Sequence, residues 1–263
     1  GSPAAPGAMT PVPRRLPARH GWRWIVQGWA LFLRKPITWG LFTAMTWLIV
    51  GLSAVHVFVM AAVAVLLPVL IAGWTLACRA AEAGQSIPVT MLFEGFRGRV
   101  RDLASIGALN LMGNMVLLLV LLAFGGDSFT NLMTNPGSVS AEEMQALQGR
   151  LSMALIVMLA IGVPLAMAVW FAPVAVVLDD QRGPAALMTS LRGILRNSMA
   201  FLVYSMVLGG AGVVLFALAS AVGLSRQAAT EVAFWILMPL IVTSVYASYR
   251  DIFAEPASTP PPE

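Results

Sequence analysis

Three arginines occupy the same place in three similar stretches, and that place suits anion recognition. GWALFLRKP, GFRGRVRDL and LRGILRNSM carry Arg34, Arg101 and Arg196, each two positions before a long apolar run begins. A guanidinium stays charged and offers five N–H donors in a planar fork, which matches phosphate and carboxylate oxygens. Two readings are open. The three side chains snorkel to headgroups and fix orientation, or they form one ring that binds an anionic ligand.

A second polar feature lies inside an apolar run. Asn110 and Asn114 are four apart with Gly107 on the same side, so on a helix they share one face. An amide there reads as a hydrogen bond to a neighbouring helix, worth about 0.6–2 kcal/mol, or as a substrate contact. Pro68, Pro164, Pro173 and Pro239 also fall within apolar runs. Membrane helices tolerate proline where neighbours satisfy the freed carbonyl. Kinks that line a shared cavity are the alternative.

Reaction chemistry finds little support. No hydrolase elbow, phosphate loop or paired-carboxylate constellation is visible. Asp179 and Asp180 are adjacent, and neighbouring helix positions point apart. They read as the end of a span pairing with nearby arginines, as do Arg250 and Asp251. The only histidines are His20 and His56, and Cys78 is the single cysteine. No metal-ligand spacing and no intrachain disulfide follow. The expectation is a chain without metal or cofactor that is not an enzyme.

The elements that position these residues are apolar helices. The chain has 263 residues, of which 59% are hydrophobic and 11% charged, and its mean hydropathy is +0.82. Soluble domains carry about 25% charged residues, so this composition predicts a single membrane domain. A net charge of +4 does not imply nucleic acid. No block of five or six basic residues exists, and basic flanks of membrane spans give the same balance.

From Pro36 to Cys78 the chain is one apolar run. As a helix it would be roughly 65 Å long against a bilayer core of about 30 Å. It must fold back, and the turn is predicted between Gly51 and His56, giving spans at about 36–54 and 57–78. A third span is predicted over Leu103–Phe124, followed by a polar external loop, Gly125–Gly149. Ser140 and Glu143 have capping-box spacing and open a fourth span that reaches Leu178. The fifth and sixth are predicted at Ser198–Val222 and Ala228–Tyr249.

Orientation follows from counting. With six spans and the N-terminus inside, fourteen of the sixteen basic residues fall on inside segments, leaving only Arg150 and Arg226 outside. That bias places both termini in the cytoplasm. Three inside stretches have helical apolar spacing and read as amphipathic surface helices: His20–Lys35 (Trp22, Ile25, Trp29, Phe32), Pro88–Asp102 and Pro184–Asn197. Trp22, Trp24, Trp29, Trp39, Trp74, Trp170 and Trp235 read as interface belts, with Trp47 deeper.

The fold class is therefore all-α and polytopic, with six spans as three hairpins, each preceded by a cytoplasmic amphipathic helix. Residues 17–253 form the membrane domain, with repeat units at about 17–80, 85–181 and 184–252. The middle unit matches least well. Segments 1–16 and 254–263, rich in small residues and proline, read as disordered.

PARHGWRW at 17–24, ACRAAEAGQSIPVTMLFEGFR at 77–97, SLRGILRNSMAFLVY at 190–204 and TSVYASYRDIF at 243–253 carry a resemblance. With them the chain resembles an uncharacterised family of six-span bacterial inner-membrane proteins. More distantly it is similar to the membrane-anchor portion of some glycerophosphodiester phosphodiesterases, whose catalytic domain has no counterpart here. The resemblance implies no catalytic residue.

The functional expectation is a non-enzymatic integral membrane protein that binds lipid, anionic lipid in particular, or a membrane partner in envelope upkeep, with self-association as one form of partnership. A small-molecule or lipid transporter is the alternative. Three hairpins with proline in the second span resemble the plan of mitochondrial carriers, but the charged motif that follows proline in that family is absent here.

Overall fold

Long apolar runs that cannot be solvated leave the backbone one economical solution, the helix, in which every interior N–H and C=O is paired locally. The computed structural model describes residues 11–52, 55–135 and 140–253. The first part of the N-terminal expected disordered segment (1–10), the whole of the C-terminal one (254–263), part of the Gly51–His56 turn and positions 136–139 lie outside the described residues.

Nine α-helices and one 3-10 helix follow in order among the described residues, with no strand. They are α1 (His20–Arg34), α2 (Pro36–Leu52), α3 (Val57–Glu82), the 3-10 helix Val89–Phe96, α4 (Val100–Thr134), α5 (Ala141–Trp170), α6 (Ala172–Leu178), α7 (Gly183–Arg196), α8 (Ser198–Ala221) and α9 (Arg226–Phe253). Five helical stretches are long and apolar enough to cross a membrane: α3, α4, α5 with α6, α8 and α9. The helix α2 has 17 residues and is shorter.

Three expectations need correction. The 125–149 segment is mostly helical rather than an extended loop. Here α4 runs on to Thr134, broken only at Gly126, whose φ of 58° is left-handed and suits glycine. The capping box then opens α5, with the Ser140 hydroxyl accepting from the Glu143 amide at 3.2 Å and the Glu143 carboxylate accepting from the Ser140 amide at 2.9 Å. The predicted fourth span is interrupted at Phe171, so Pro173 lies in the first turn of α6, where proline fits, and is no mid-helix kink. The other three prolines do lie inside helices, Pro68 in α3, Pro164 in α5 and Pro239 in α9. The 88–102 stretch is not one helix; it divides into the 3-10 helix and the first turn of α4.

The core sits at one end of the bundle. Trp24, Phe171, Tyr204, Tyr249 and Ile252 form one buried cluster, and Leu31, Trp39, Phe42, Trp74, Leu92 and Tyr246 another. Trp39 stacks on Trp74 with centroids 5.7 Å apart, and Phe42 meets Trp74 edge-on at 5.3 Å. Trp24, Trp39 and Trp74, expected in interface belts, are instead fully buried. We call this end the base. Away from it the helices spread, and only 11% of the apolar stretch of α4 is covered, against 33% of that of α3.

The helix α1 was expected to present Trp22, Ile25, Trp29 and Phe32 as one apolar face. It divides otherwise. Gly21, Trp24 and Gly28 are buried, while Trp22, Val26, Trp29 and Leu33 form an exposed stripe. The reason is close approach: a β-carbon at Gly28 would lie 2.7 Å from the Ser244 amide nitrogen of α9. Two glycines let α1 wedge against α8 and α9.

Candidate functional site

Where a chain end meets two helix ends at the base, polar groups accumulate. The last carbonyls of α3 have no helical partner of their own, and Arg34 supplies one. Its Nη1 donates to the Ala81 carbonyl at 3.2 Å and to the Glu82 carbonyl at 3.1 Å. A cation there also complements the negative end of the helix dipole. Beside it, Arg250 of α9 ion-pairs with Glu82, and the Tyr246 hydroxyl donates to the same carboxylate at 2.7 Å.

Asp251 ties the N-terminal segment to α9. Its carboxylate takes the Arg14 guanidinium at 3.3 Å, the His20 Nδ1 at 2.6 Å and the Trp24 indole N–H at 2.8 Å. The Arg14 guanidinium also donates to the Asp251 backbone carbonyl. Between these two groups lies a cavity of about 410 Å³ whose polar lining includes Arg14, Gln27, Arg34, Glu82, Arg250 and Asp251. A second hollow of about 240 Å³ adjoins it across Tyr246 and Arg250 and adds Arg79.

The predicted arginines are not gathered into one pocket. Arg34 lines the cavity just described. Arg196, exposed at the end of α7, lines two other hollows, one with Pro11, Pro13 and Arg192 and one with Arg15 and Asn197. Arg101 is exposed in the first turn of α4 and has no hydrogen-bonding partner among the described residues. All three belong to the base, at separate places on it.

Asn110 and Asn114 are brought together, along one helix. The Asn114 amide donates to the Asn110 carbonyl at 2.7 Å and to its Oδ1 at 3.3 Å, and Asn114 is exposed. No bond from either to a second helix occurs among the described residues.

The acidic doublets prove more structural than their adjacency suggested. Asp179 accepts from the Tyr249 hydroxyl, and Asp180 pairs with Arg99. The Asp180 carboxylate, with Asp102, holds the Arg99 guanidinium above its ordinary pKa range. Ser190 of α7 bridges the α5–α6 break, accepting from the Phe171 amide at 2.9 Å and donating to the Met167 carbonyl at 2.6 Å. Asn197 anchors the N-terminal segment through the Leu16 amide at 2.8 Å and the Arg14 carbonyl at 2.9 Å. Sequence reasoning missed Arg14, Glu82, Tyr246 and Ser190. Their only signal is a polar side chain beside the end of a span. Among the described residues no cluster of His, Cys, Asp and Glu has the makings of a metal site.

No family model matches the chain, and no solved structure does. A probable inner membrane protein of Burkholderia thailandensis is 29% identical over 255 residues, covering 90% of this chain and 92% of that protein. Nothing in these comparisons links the chain to glycerophosphodiester phosphodiesterases. The apolar helices and this relative together support a place in the membrane.

Proposed function

We propose that this chain is a non-enzymatic, six-span protein of the bacterial inner membrane whose basic cytoplasmic base holds anionic lipid headgroups. The observation that carries the reading is the crowding of cations at the end where the core lies. Arg14 reaches α9, Arg34 reaches α3 and Arg99 reaches the end of α6, all at the base. Among the described residues only Arg150 and Arg226 sit on the far side, in the first third of α5 and at the start of α9. This division is the one the positive-inside rule expects of a cytoplasmic face. The exposed Trp22, Val26, Trp29 and Leu33 stripe of α1 fits the headgroup boundary beside it.

The packing of α2 supports the sixth span. Trp39 near its start lies against Trp74 in the basal half of α3, whereas Trp47 lies 6.3 Å from Trp235 in the outer half of α9. The helix therefore climbs away from the base, and α3 returns. A short helix then precedes each pair of proposed spans: α1 before α2 and α3, the 3-10 helix before α4 and α5, and α7 before α8 and α9.

One observation favours transport as a second reading. Among the described residues α4 and α5 pack on neither α8 nor α9 beyond isolated contacts such as Trp170 with Tyr204. The α4–α5 pair and the α8–α9 pair are largely separate above the base. The lipid reading is tested by replacing Arg34, Arg101 and Arg196 together with Gln and comparing co-purified lipid. Each cation near an anionic surface contributes about 1 kcal/mol, so loss of all three removes most of the preference for anionic over zwitterionic lipid. Unchanged retention by a folded variant leaves these arginines as anchors only.

A further inference from the structure

We propose that the cavity between α1, α3 and α9 is a binding site for a phosphate-bearing anion, with Arg34 as its principal ligand and Arg14, Arg250 and Gln27 completing it. The inference rests on the reading of the base as an anion-binding face and gives that face a specific site.

Three arginines and two carboxylates meet there, so the lining carries a surplus positive charge. More telling is the surplus of donors. A guanidinium has five N–H groups. Arg34 uses only Nη1, on the two α3 carbonyls. Arg250 uses only Nη1, on Glu82 and the Tyr246 oxygen. Arg14 uses Nε and Nη2, on Asp251. Among the described residues Nε and Nη2 of Arg34, Nε and Nη2 of Arg250 and Nη1 of Arg14 have no partner, and neither has the Gln27 amide. The carboxylates fix two of the guanidiniums in place and leave donors over. A tetrahedral anion with three acceptor oxygens suits such an arrangement, since arginine forks bind phosphate oxygens bidentately.

The geometry of α1 gives the site its position. At roughly 100° per residue, Gln27, Ala30 and Arg34 share a face about a third of a turn from the exposed Trp22, Val26, Trp29 and Leu33 stripe. The remaining face is the one buried against α8 and α9. If the stripe lies in the headgroup layer, the cavity opens beside that layer. Both an anionic lipid headgroup and a free phosphate ester can reach it.

The test uses the whole protein purified in a zwitterionic or neutral detergent. Binding is titrated with three probes: inorganic phosphate, glycerol 3-phosphate and dioctanoyl phosphatidylglycerol, with dioctanoyl phosphatidylcholine as the control. Saturable binding is expected, weakened at least tenfold by Arg34→Gln and unchanged by Arg97→Gln, which removes the same charge from an exposed position paired, among the described residues, with Glu94 alone. Arg34→Lys restores only part, because a point charge replaces the fork. Gln27→Glu, at an exposed position that anchors nothing, abolishes binding without touching any ion pair, so a folding defect at Arg14 or Arg250 is not needed to decide the matter. Binding of phosphatidylglycerol without the small anions identifies the ligand as lipid; binding of the small anions identifies a soluble phosphate ester. Equal effects of Arg34→Gln and Arg97→Gln overturn the site while leaving a diffuse basic face intact. Saturable binding of the small anions that depends on Arg34, with no preference for anionic lipid, sustains the site and overturns the lipid reading. No saturable binding of any phosphate-bearing probe overturns the site outright.

Discussion

Asp251 is the side chain whose loss the base should feel most. Its carboxylate is the partner of three donors from the N-terminal segment: Arg14, His20 and Trp24. Trp24 is fully buried and His20 nearly so, while the carboxylate itself keeps 19% of its surface. Asp251→Ala strands a buried indole N–H, at about 1–3 kcal/mol. It also unpairs a partly exposed guanidinium and a nearly buried imidazole. The three losses share one acceptor and do not add, so breaking the group costs about 3–5 kcal/mol, as for other partly buried charge pairs. For a chain of this size that is a fall in melting temperature of roughly 10 °C, read by tryptophan fluorescence or by light scattering on heating in detergent. Asp251→Asn keeps one acceptor and should lose about half as much. Glu94→Ala breaks the exposed Arg97 pair and is the control, at less than about 1 kcal/mol. An Asp251→Ala protein that melts within about 2 °C of the parent would refute the reasoning.

Three further outcomes are expected. Ser190→Ala leaves the buried Phe171 amide without its acceptor and costs about 1–3 kcal/mol, seen in the same melting assay; Ser140→Ala, which removes only a helix cap, costs about 1 kcal/mol. Asn114→Leu should be neutral within about 0.5 kcal/mol or stabilising, because its amide bonds only within α4 and faces outward; a loss of more than 1 kcal/mol would mean that a partner, from this chain or a second copy, takes up that amide. In a Cys78→Ala background, single cysteines at Glu142 and Gln227 should react with an impermeant thiol reagent in intact cells, and one at Gln85 only after lysis; labelling of the Gln85 position from outside would invert the topology.

What the sequence disclosed was set by local physics, and what it hid depended on partners far along the chain. Helix α8 appears as predicted to within a residue, because apolar length and a polar start define it. The Ser140 capping box was legible because both partners lie within four residues. The charged doublets were not. Asp179–Asp180 and Arg250–Asp251 read as local pairs, yet each member of a doublet reaches a different element: Asp179 to α9, Asp180 to Arg99, Arg250 to α3 and Asp251 to α1. Adjacent helix positions point apart, so a doublet at a helix end staples two neighbours at once, and only the tertiary arrangement names them. The face of α1 was misjudged for a related reason. Apolar spacing marks large residues, whereas Gly21 and Gly28 decide which side can approach another backbone. Arg34 and Arg196 end α1 and α7, whereas Arg101 lies in the first turn of α4, and alignment in sequence did not bring the three to one pocket.

The central claim, a basic base that holds anionic lipid, is tested most directly by native mass spectrometry of the wild-type protein released from gently solubilised membranes. The lipids that stay bound are identified and their ratio is set against that of the bulk membrane. The account predicts one or more retained anionic lipids, enriched over zwitterionic lipid by at least tenfold, since two cations at roughly 1 kcal/mol each at the leaflet surface already exceed the about 1.4 kcal/mol that a factor of ten requires. A retained set that mirrors the bulk composition, or that favours zwitterionic lipid, would contradict it.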